Sequence, residues 1–292
     1  MKIGYLGPRG TFTEMAVQTL FDDKNVLKPY RTIPDCMDSV ANGDMDAAVV
    51  PVENAIEGSV NVTLDYLIHK QRLEIVADIV VPISQHFLVH PNQRDNEIKK
   101  ILSHPHAVAQ CHEFLRSSYP GVEIEYMRST AAAAQWVADH PNEPVAAIAN
   151  EQAATSYQLD MLEKDIHDYD ENRTRFAVLA KGKLSLPPYQ VEPYTKKTTM
   201  MVTLSSDFSG ALHQVLSAFA WRKLNLTKIE SRPMKTGLGN YFFIIDVDCE
   251  ADDVLIPGVM QELEALGCGV ELLGSYPCFF HTSLKLTEAS SV

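Results

Sequence analysis

Asn172-Arg173-Thr174-Arg175-Phe176 sets one hydroxyl between two guanidiniums, after an acidic run (Glu163, Asp165, Asp168, Asp170, Glu171) and before an apolar strand over 176–180. An arginine fork holds a carboxylate in a fixed two-pronged geometry. A hydroxyl beside it can donate to a leaving oxygen or a bound anion. A surface turn whose arginines pair with the local acids would explain the pentapeptide equally well, because structural ion pairs are common. Directly after the strand, Pro187, Pro188 and Pro193 mark a linker. The pentapeptide therefore closes one folding unit, and the two sides of that boundary have different grammars.

Upstream, residues 1–182 alternate strands with short helices. Strands are expected at 3–6, 47–50, 100–102, 123–126 and 145–148, and helices from the turn after 6 to about 21, then at 59–68, 108–117 and 130–139. This βαβ order predicts α/β layers with mainly parallel sheets. The β-rich segment 76–89, with Pro82 in its middle, is long enough to cross between two lobes, and the chain returns near 150–176. Downstream of a linker at 183–196, residues 197–280 read as strand 198–204, helix 210–224, strands 226–233 and 241–247 joined by a Gly237/Gly239 turn, helix 260–266 and strand 270–276. That order is βαββαβ, a ferredoxin-like split unit. Residues 281–292 form a tail.

A chain of 292 residues has room for such units, and 46% apolar with 22% charged residues is ordinary for a globular protein. The formal charge of −13 argues against nucleic acid and anionic membranes as partners. An anionic ligand must therefore meet a local positive site. Residues 1–7 run straight into a strand with no signal peptide, and no apolar run approaches the roughly 20 residues of a membrane helix. Cys36, Cys111, Cys249, Cys268 and Cys278 show no Cys-x-x-Cys spacing and fit reduced thiols in the cytoplasm. His104, His106 and His112, near Cys111 and Glu113, have no recurring ligand spacing, so no metal is expected.

Three turns lie where a strand gives way to a helix. Gly7-Pro8-Arg9-Gly10-Thr11-Phe12-Thr13-Glu14 is glycine-rich, with capping-box spacing between Thr11 and Glu14. Asn54-Ala55-Ile56-Glu57-Gly58-Ser59 follows the strand at 47–50, and Ser129-Thr130 opens an alanine-rich helix. Such starts offer free N–H groups and a positive dipole end, at the strand ends where open α/β sheets bind ligands. Simple capping also explains each of them taken singly. There is no Gly-x-Ser-x-Gly elbow and no P-loop. Glu53 and Glu57 are the available acid–base groups. Chemistry run by Thr, Asn and Arg suits a substrate that is already activated.

Together these stretches, with Pro51-Val52-Glu53 ahead of Asn54, Val60 after Ser59 and Ala131 after Thr130, resemble the prephenate dehydratase family. Gly210-Ala211-Leu212 and Glu230-Ser231-Arg232-Pro233 resemble the motifs of an ACT regulatory domain. The resemblance covers nearly the whole chain. With no chorismate mutase helical domain ahead of residue 1, it is to the monofunctional form. It implies two periplasmic-binding-protein-like lobes with the site in their cleft. It implies a cytoplasmic carbon–oxygen lyase of phenylalanine biosynthesis that needs no cofactor and turns prephenate into phenylpyruvate, water and CO2. It further implies control by L-phenylalanine or another amino acid in a homodimer or homotetramer. By the same resemblance Thr174 would sit at the leaving hydroxyl and Arg175 at a carboxylate. Thr11, Phe12, Asn54, Gly58, Ser59, Ser129, Thr130, Asn172 and Phe176 would surround the substrate. Gly210, Ala211, Leu212, Glu230, Ser231, Arg232 and Pro233 would surround the effector.

Arogenate dehydratase and a non-catalytic amino-acid sensor are the alternatives, and the intact Thr174-Arg175-Phe176 disfavours the sensor. Two positions depart from the family pattern: Ala55 stands where serine is usual, and His213 where valine often follows Gly-Ala-Leu. The residues themselves also carry a tension. Thr174 and Arg175 are adjacent, and a regular strand sends neighbours to opposite faces.

Overall fold

The computed structural model of the chain describes residues 1–182, 189–204, 209–234, 241–252 and 254–281. Pro187, Pro188, Gly237, Gly239 and the tail from 282 onward lie outside these described residues. The first lobe runs β1 (Lys2–Leu6), α1 (Phe12–Leu20), β2 (Val26–Tyr30), α2 (Ile33–Ala41), β3 (Ala47–Asn54), β4 (Gly58–Ser59), α3 (Asn61–His69) and β5 (Glu74–Pro82). After Pro82 the chain crosses through Ile83, Ser84 and Gln85 into the second lobe. There follow β6 (His86–Val89), β7 (Lys100–Ser103), α4 (Pro105–Ala109), α5 (His112–Ser118), β8 (Glu123–Tyr126), α6 (Thr130–Asp139), β9 (Val145–Ala149), α7 (Glu151–Tyr157) and β10 (Asp160–Glu163). The return strand β11 (Arg173–Ala180) carries the pentapeptide's last four residues back into the first lobe.

In the first sheet β1 pairs parallel with β2 and β3, while β11 lies antiparallel between β3 and β5. In the second, β7 pairs parallel with β8 and β9, and β6 and β10 add antiparallel strands. The parallel grammar thus holds for the βαβ pairs, and the crossing and returning strands make both sheets mixed. β2 and α2 did not show in the sequence pattern. β2 is an edge strand with Lys28 and Pro29 in it, which hides its pairing. α2 nonetheless has a clear start, with Thr32 Oγ1 accepting from the Asp35 N–H at 3.2 Å and Pro34 in the first turn.

The two faces of the first sheet carry different helices. Ala16, Val17 and Leu20 of α1 pack against Val49, Ile79, Phe176 and Val178. Cys36, Met37 and Val40 of α2 and Leu67 of α3 cover Ala48, Val50, Ala177 and Leu179. The even-numbered residues of β11 therefore face α1, and the odd-numbered ones face away from it.

The C-terminal unit follows the expected βαββαβ order: β12 (Thr195–Thr203), α8 (Ala211–Ala220), β13 (Leu226–Pro233), β14 (Tyr241–Val247), α9 (Leu255–Ala265) and β15 (Gly269–Phe280). α9 begins earlier than expected because Pro257 falls in its first turn, where a proline has no hydrogen bond to lose. β15 runs longer than expected. It leaves its own sheet and pairs parallel with β5, Cys278 opposite Asp78 and Phe280 opposite Val80. That sheet and the first lobe's sheet thereby become one, of ten strands among the described residues. Where the strands meet, a Cβ on Gly274 would lie 2.2 Å from the Ile75 carbonyl oxygen, so only glycine fits. Among the described residues no helix is long and apolar enough to cross a membrane.

Candidate active site

Alternation along β11 divides the pentapeptide. Thr174 and Phe176 line a cleft of about 530 Å³ whose walls come from both lobes, together with Thr11, Phe12, Asn54, Gly58, Ser59, Ser129 and Thr130. A second compartment of about 720 Å³ adjoins it and shares Thr11, Thr13, Arg128 and Ser129.

Amides hold Thr174. Its partner across the β3–β11 pairing is Asn54. Asn54 Nδ2 donates to Thr174 Oγ1 at 2.8 Å and to Asn172 Oδ1 at 2.9 Å, and Asn172 Nδ2 donates to Gln110 Oε1 at 3.1 Å. Asn54 Oδ1 accepts from the Ile56 and Glu57 N–H groups, each at 2.9 Å, which fixes the orientation of the amide. Thr174 Oγ1 is therefore an acceptor, and among the described residues its proton has no acceptor. Asn172, which is buried, acts on the site by holding Asn54.

The helix starts differ in what they can still bind. At α1, Thr11 Oγ1 accepts from the Glu14 N–H at 3.3 Å, as the spacing predicts, and Glu14 Oε2 accepts from the Gly10 N–H at 2.6 Å. Tyr5 donates to the other carboxylate oxygen at 2.8 Å, so a buried acid already faces this dipole end. At α6, Ser129 Oγ accepts from the Ala132 N–H at 3.0 Å and the first turn holds no acid. Arg128 lines both compartments and has no ion-pair partner among the described residues. The start of α6 is the stronger anion seat.

Arg175 is not in the cleft. The register shift between β11 and β3 falls after it, and Thr174 and Phe176 keep a common face. Arg175 points the other way, with a side chain 14% exposed. Its Nη1 lies 2.6 Å from Asp246 Oδ2 and 3.7 Å from Asp78 Oδ2, and its Nη2 lies 3.4 Å from Glu53 Oε2. Where the resemblance expects a substrate carboxylate at Arg175, three protein carboxylates surround it. Burial works against its charge, but Asp246 foremost holds the guanidinium protonated. Burial would raise the Asp246 carboxyl too, yet Arg175 and the Thr199 hydroxyl bring it below the usual range. Burial prevails at Asp78, whose carboxyl is raised.

The expected effector residues also divide by alternation. Gly210, at φ 96°, caps α8, with Ala211 buried and Leu212 exposed behind it. On β13, Lys228, Glu230 and Arg232 turn toward the N-terminal unit, whereas Ser231 and Pro233 are exposed. Ser59 Oγ donates to Glu230 Oε2 at 2.5 Å and accepts from Lys228 Nζ at 2.8 Å, while Arg232 bonds Asn61 and Asp65. Against the burial that would raise it, the Glu230 carboxyl is held below its usual range by Ser59 and Lys228. Glu230 and Arg232 are thus engaged within the chain, and the Ser59 hydroxyl points to the C-terminal unit even though its residue borders the cleft.

The cleft also contains Ile83, Gln85, His104, His106, Gln110 and Arg128, which the sequence reading missed. Arg128 directly precedes the Ser129-Thr130 motif, a signal that was available. Gln85 lies in the crossing, where no periodicity marks it; it is 3% exposed and its Oε1 has no partner among the described residues. His106 Nδ1 stands 3.6 Å from Glu57 Oε1, joining the two lobes across the cleft. Burial and then His106 lower the His104 pKa. Cys111 is buried with its thiol pushed up to about 12, and the N–H groups of His112 and Glu113 bind Asp168. Among the described residues no group of potential metal ligands converges.

Comparison with known proteins shows the family. A family profile described as prephenate dehydratase matches residues 3–184, and one described as ACT domain matches residues 199–268. The chain belongs to the prephenate dehydratase family. It is 54% identical over 283 residues to a prephenate dehydratase of Bacillus subtilis, covering 96% of this chain and 99% of that one. Its fold is similar to the crystal structure of prephenate dehydratase from Arthrobacter aurescens in complex with L-Phe, with a TM-score of 0.82 and 35% identity over 95% of this chain and 90% of that one. The Staphylococcus aureus prephenate dehydratase gives a TM-score of 0.79 at 29% identity, over 94% of this chain and 100% of that one.

Proposed function

We infer that the chain acts as its family does, as a lyase converting prephenate to phenylpyruvate, water and CO2, with Thr174 as the group that meets the leaving hydroxyl. Prephenate carries two carboxylates and a ring hydroxyl. The bond from the ring to its carboxylate breaks and CO2 leaves. The electron pair enters the ring, the C–O bond across the ring breaks, and the departing hydroxide takes a proton from solvent. Aromatisation drives the step, and atoms and charge balance without a redox partner.

The hydrogen bond from Asn54 to Thr174 carries this reading. With its oxygen accepting from Asn54 at 2.8 Å, Thr174 has its proton left to donate to the departing oxygen. Arg128 and the first N–H groups of α6 hold a carboxylate. The Gln85 amide, unpartnered at Oε1, supplies a further polar contact. We read the ACT domain as the receiver of L-phenylalanine, the ligand in the Arthrobacter aurescens structure. We expect the chain to form a homodimer or homotetramer, because β13 ends the sheet with an edge unpaired among the described residues and exposes Ile229.

Purified protein mixed with prephenate should release phenylpyruvate, followed by the absorbance of its enolate in alkali. No release from folded protein overturns the activity. A higher kcat/KM for arogenate would transfer the reading to that substrate.

A further inference from the structure

Arg175 follows the catalytic hydroxyl directly and is boxed by carboxylates from three strands. Asp246 belongs to β14 of the ACT domain, and Glu53 and Asp78 belong to β3 and β5, which flank β11. Thr199 Oγ1 donates to Asp246 at 2.7 Å and meets the Tyr276 hydroxyl at 2.7 Å, just before β15 joins β5. From β13, Lys228 Nζ reaches Glu53 at 3.2 Å, and Glu230 takes the Ser59 hydroxyl.

Two of the catalytic-unit partners stand one residue from a cleft residue, Arg175 from Thr174 and Glu53 from Asn54. One step along a strand turns a side chain from the ACT face to the cleft face. The ACT sheet therefore grips the backbone that sets the Asn54–Thr174 hydrogen bond without entering the cleft.

We propose that Arg175 is a positioning residue for the dehydration and, through Asp246, the link by which the ACT domain acts on Thr174. The coupling half of this proposal rests on the ACT domain receiving an amino acid. An effector that shifts β13 and β14 against β11 and β3 changes the Arg175–Asp246 and Lys228–Glu53 pairs. A misplacement of about 1 Å at a reacting group costs on the order of 10²-fold in rate, so a small shift is enough. A bridge that merely fastened the domains together would affect stability and leave the effector response alone.

The test measures kcat and KM for prephenate with and without saturating L-phenylalanine, and L-phenylalanine binding by calorimetry. Asp246→Asn should lower kcat without effector by no more than Arg175→Met does, with KM within about threefold, still bind L-phenylalanine, and lose most of its effect on kcat/KM. Arg175→Met should lower kcat about tenfold with KM within about threefold, and Arg175→Lys should recover part of the loss because one ion pair to Asp246 survives. A KM raised about tenfold or more in both Arg175 variants would make it a substrate clamp and overturn the positioning role. An Asp246→Asn enzyme that answers L-phenylalanine as the wild type does would overturn the coupling. If the wild type binds no amino acid, the effector reading fails and the coupling with it, while the split between KM and kcat still decides positioning. Should Arg175→Met fail to fold, Arg175→Lys gives the same split.

Discussion

The hydroxyl of Thr174 is committed on one side only. It accepts from an amide that three other contacts hold in place, so its proton has one free direction, into the cleft. Thr174→Ala should cut kcat by roughly 10²-fold with little change in KM, and Thr174→Ser should retain most of it. A sharper variant changes no volume. Asn54→Asp replaces the Nδ2 donor by an acceptor, which turns the Thr174 proton back toward position 54. Its kcat should fall about as far as that of Thr174→Ala, again on the order of 10²-fold. An Asn54→Asp enzyme with normal kcat would show that the polarity of this contact does not matter. Gln85→Leu, by contrast, removes a polar group and should raise KM more than it lowers kcat, since nothing ties Gln85 to the reacting bond.

β11 sorts its side chains by parity, and of the three acids beside Arg175 the two buried ones behave oppositely because their partners differ. Asp246 meets both a guanidinium and a hydroxyl, and its folded carboxyl is held below the ordinary range. The stability it contributes is present above the unfolded carboxylate pKa of about 3.9 and is lost as pH falls through the folded value. Asp78 is nearly as buried but stands farther off, and its carboxyl is raised. Its contribution is present below the unfolded pKa and is lost as pH rises through the folded one. Urea melts at pH 7 should therefore show Asp246→Asn destabilised by about 3 kcal/mol, the range for breaking a buried pair. Asp78→Asn should be neutral or stabilised. The gap between wild type and Asp246→Asn should close below about pH 4. A large loss in Asp78→Asn at pH 7 would mean that Asp78 is the chief partner of Arg175. Parity was legible in the sequence, since adjacent residues cannot share a strand face, and it stood against the role that resemblance gave to Arg175. The helix caps at Thr11 and Ser129 were legible as well, because capping is local. Asp246 as the partner of Arg175 was not, because a contact between residues so distant in the chain leaves no periodic trace. Neither were Gln85, which sits in the crossing, or β2, whose Pro29 and Lys28 disguise an edge strand.

Ten strands shared between two units change how the whole molecule should unfold. Domains joined by a small polar interface move and melt separately. Here Leu273, Tyr276 and Cys278 of β15 belong to the cluster formed by α2, α3 and the first sheet, and Phe279 to the cluster under α1. Leu64 of α3 packs against Phe242 and Ile244 of β14. The boundary is thus made of core, crossed by the Arg175–Asp246 pair and closed by the β5–β15 ladder. Calorimetry of the full chain should give one transition, with the van't Hoff enthalpy close to the measured enthalpy. A chain ending at Gly182 would leave β5 as an unpaired edge beside exposed apolar surface, and Arg175 without Asp246, its nearest partner. It should melt well below the full chain and aggregate as its concentration rises. Tyr276→Ala tests the same argument without truncation, since it opens a hole in the shared core and removes the Thr199 contact. A loss of about 3–5 kcal/mol is expected, carried by the single transition. Two resolved transitions in the wild type, with only the later-melting unit shifted by Tyr276→Ala, would show that the ladder joins two independently stable domains.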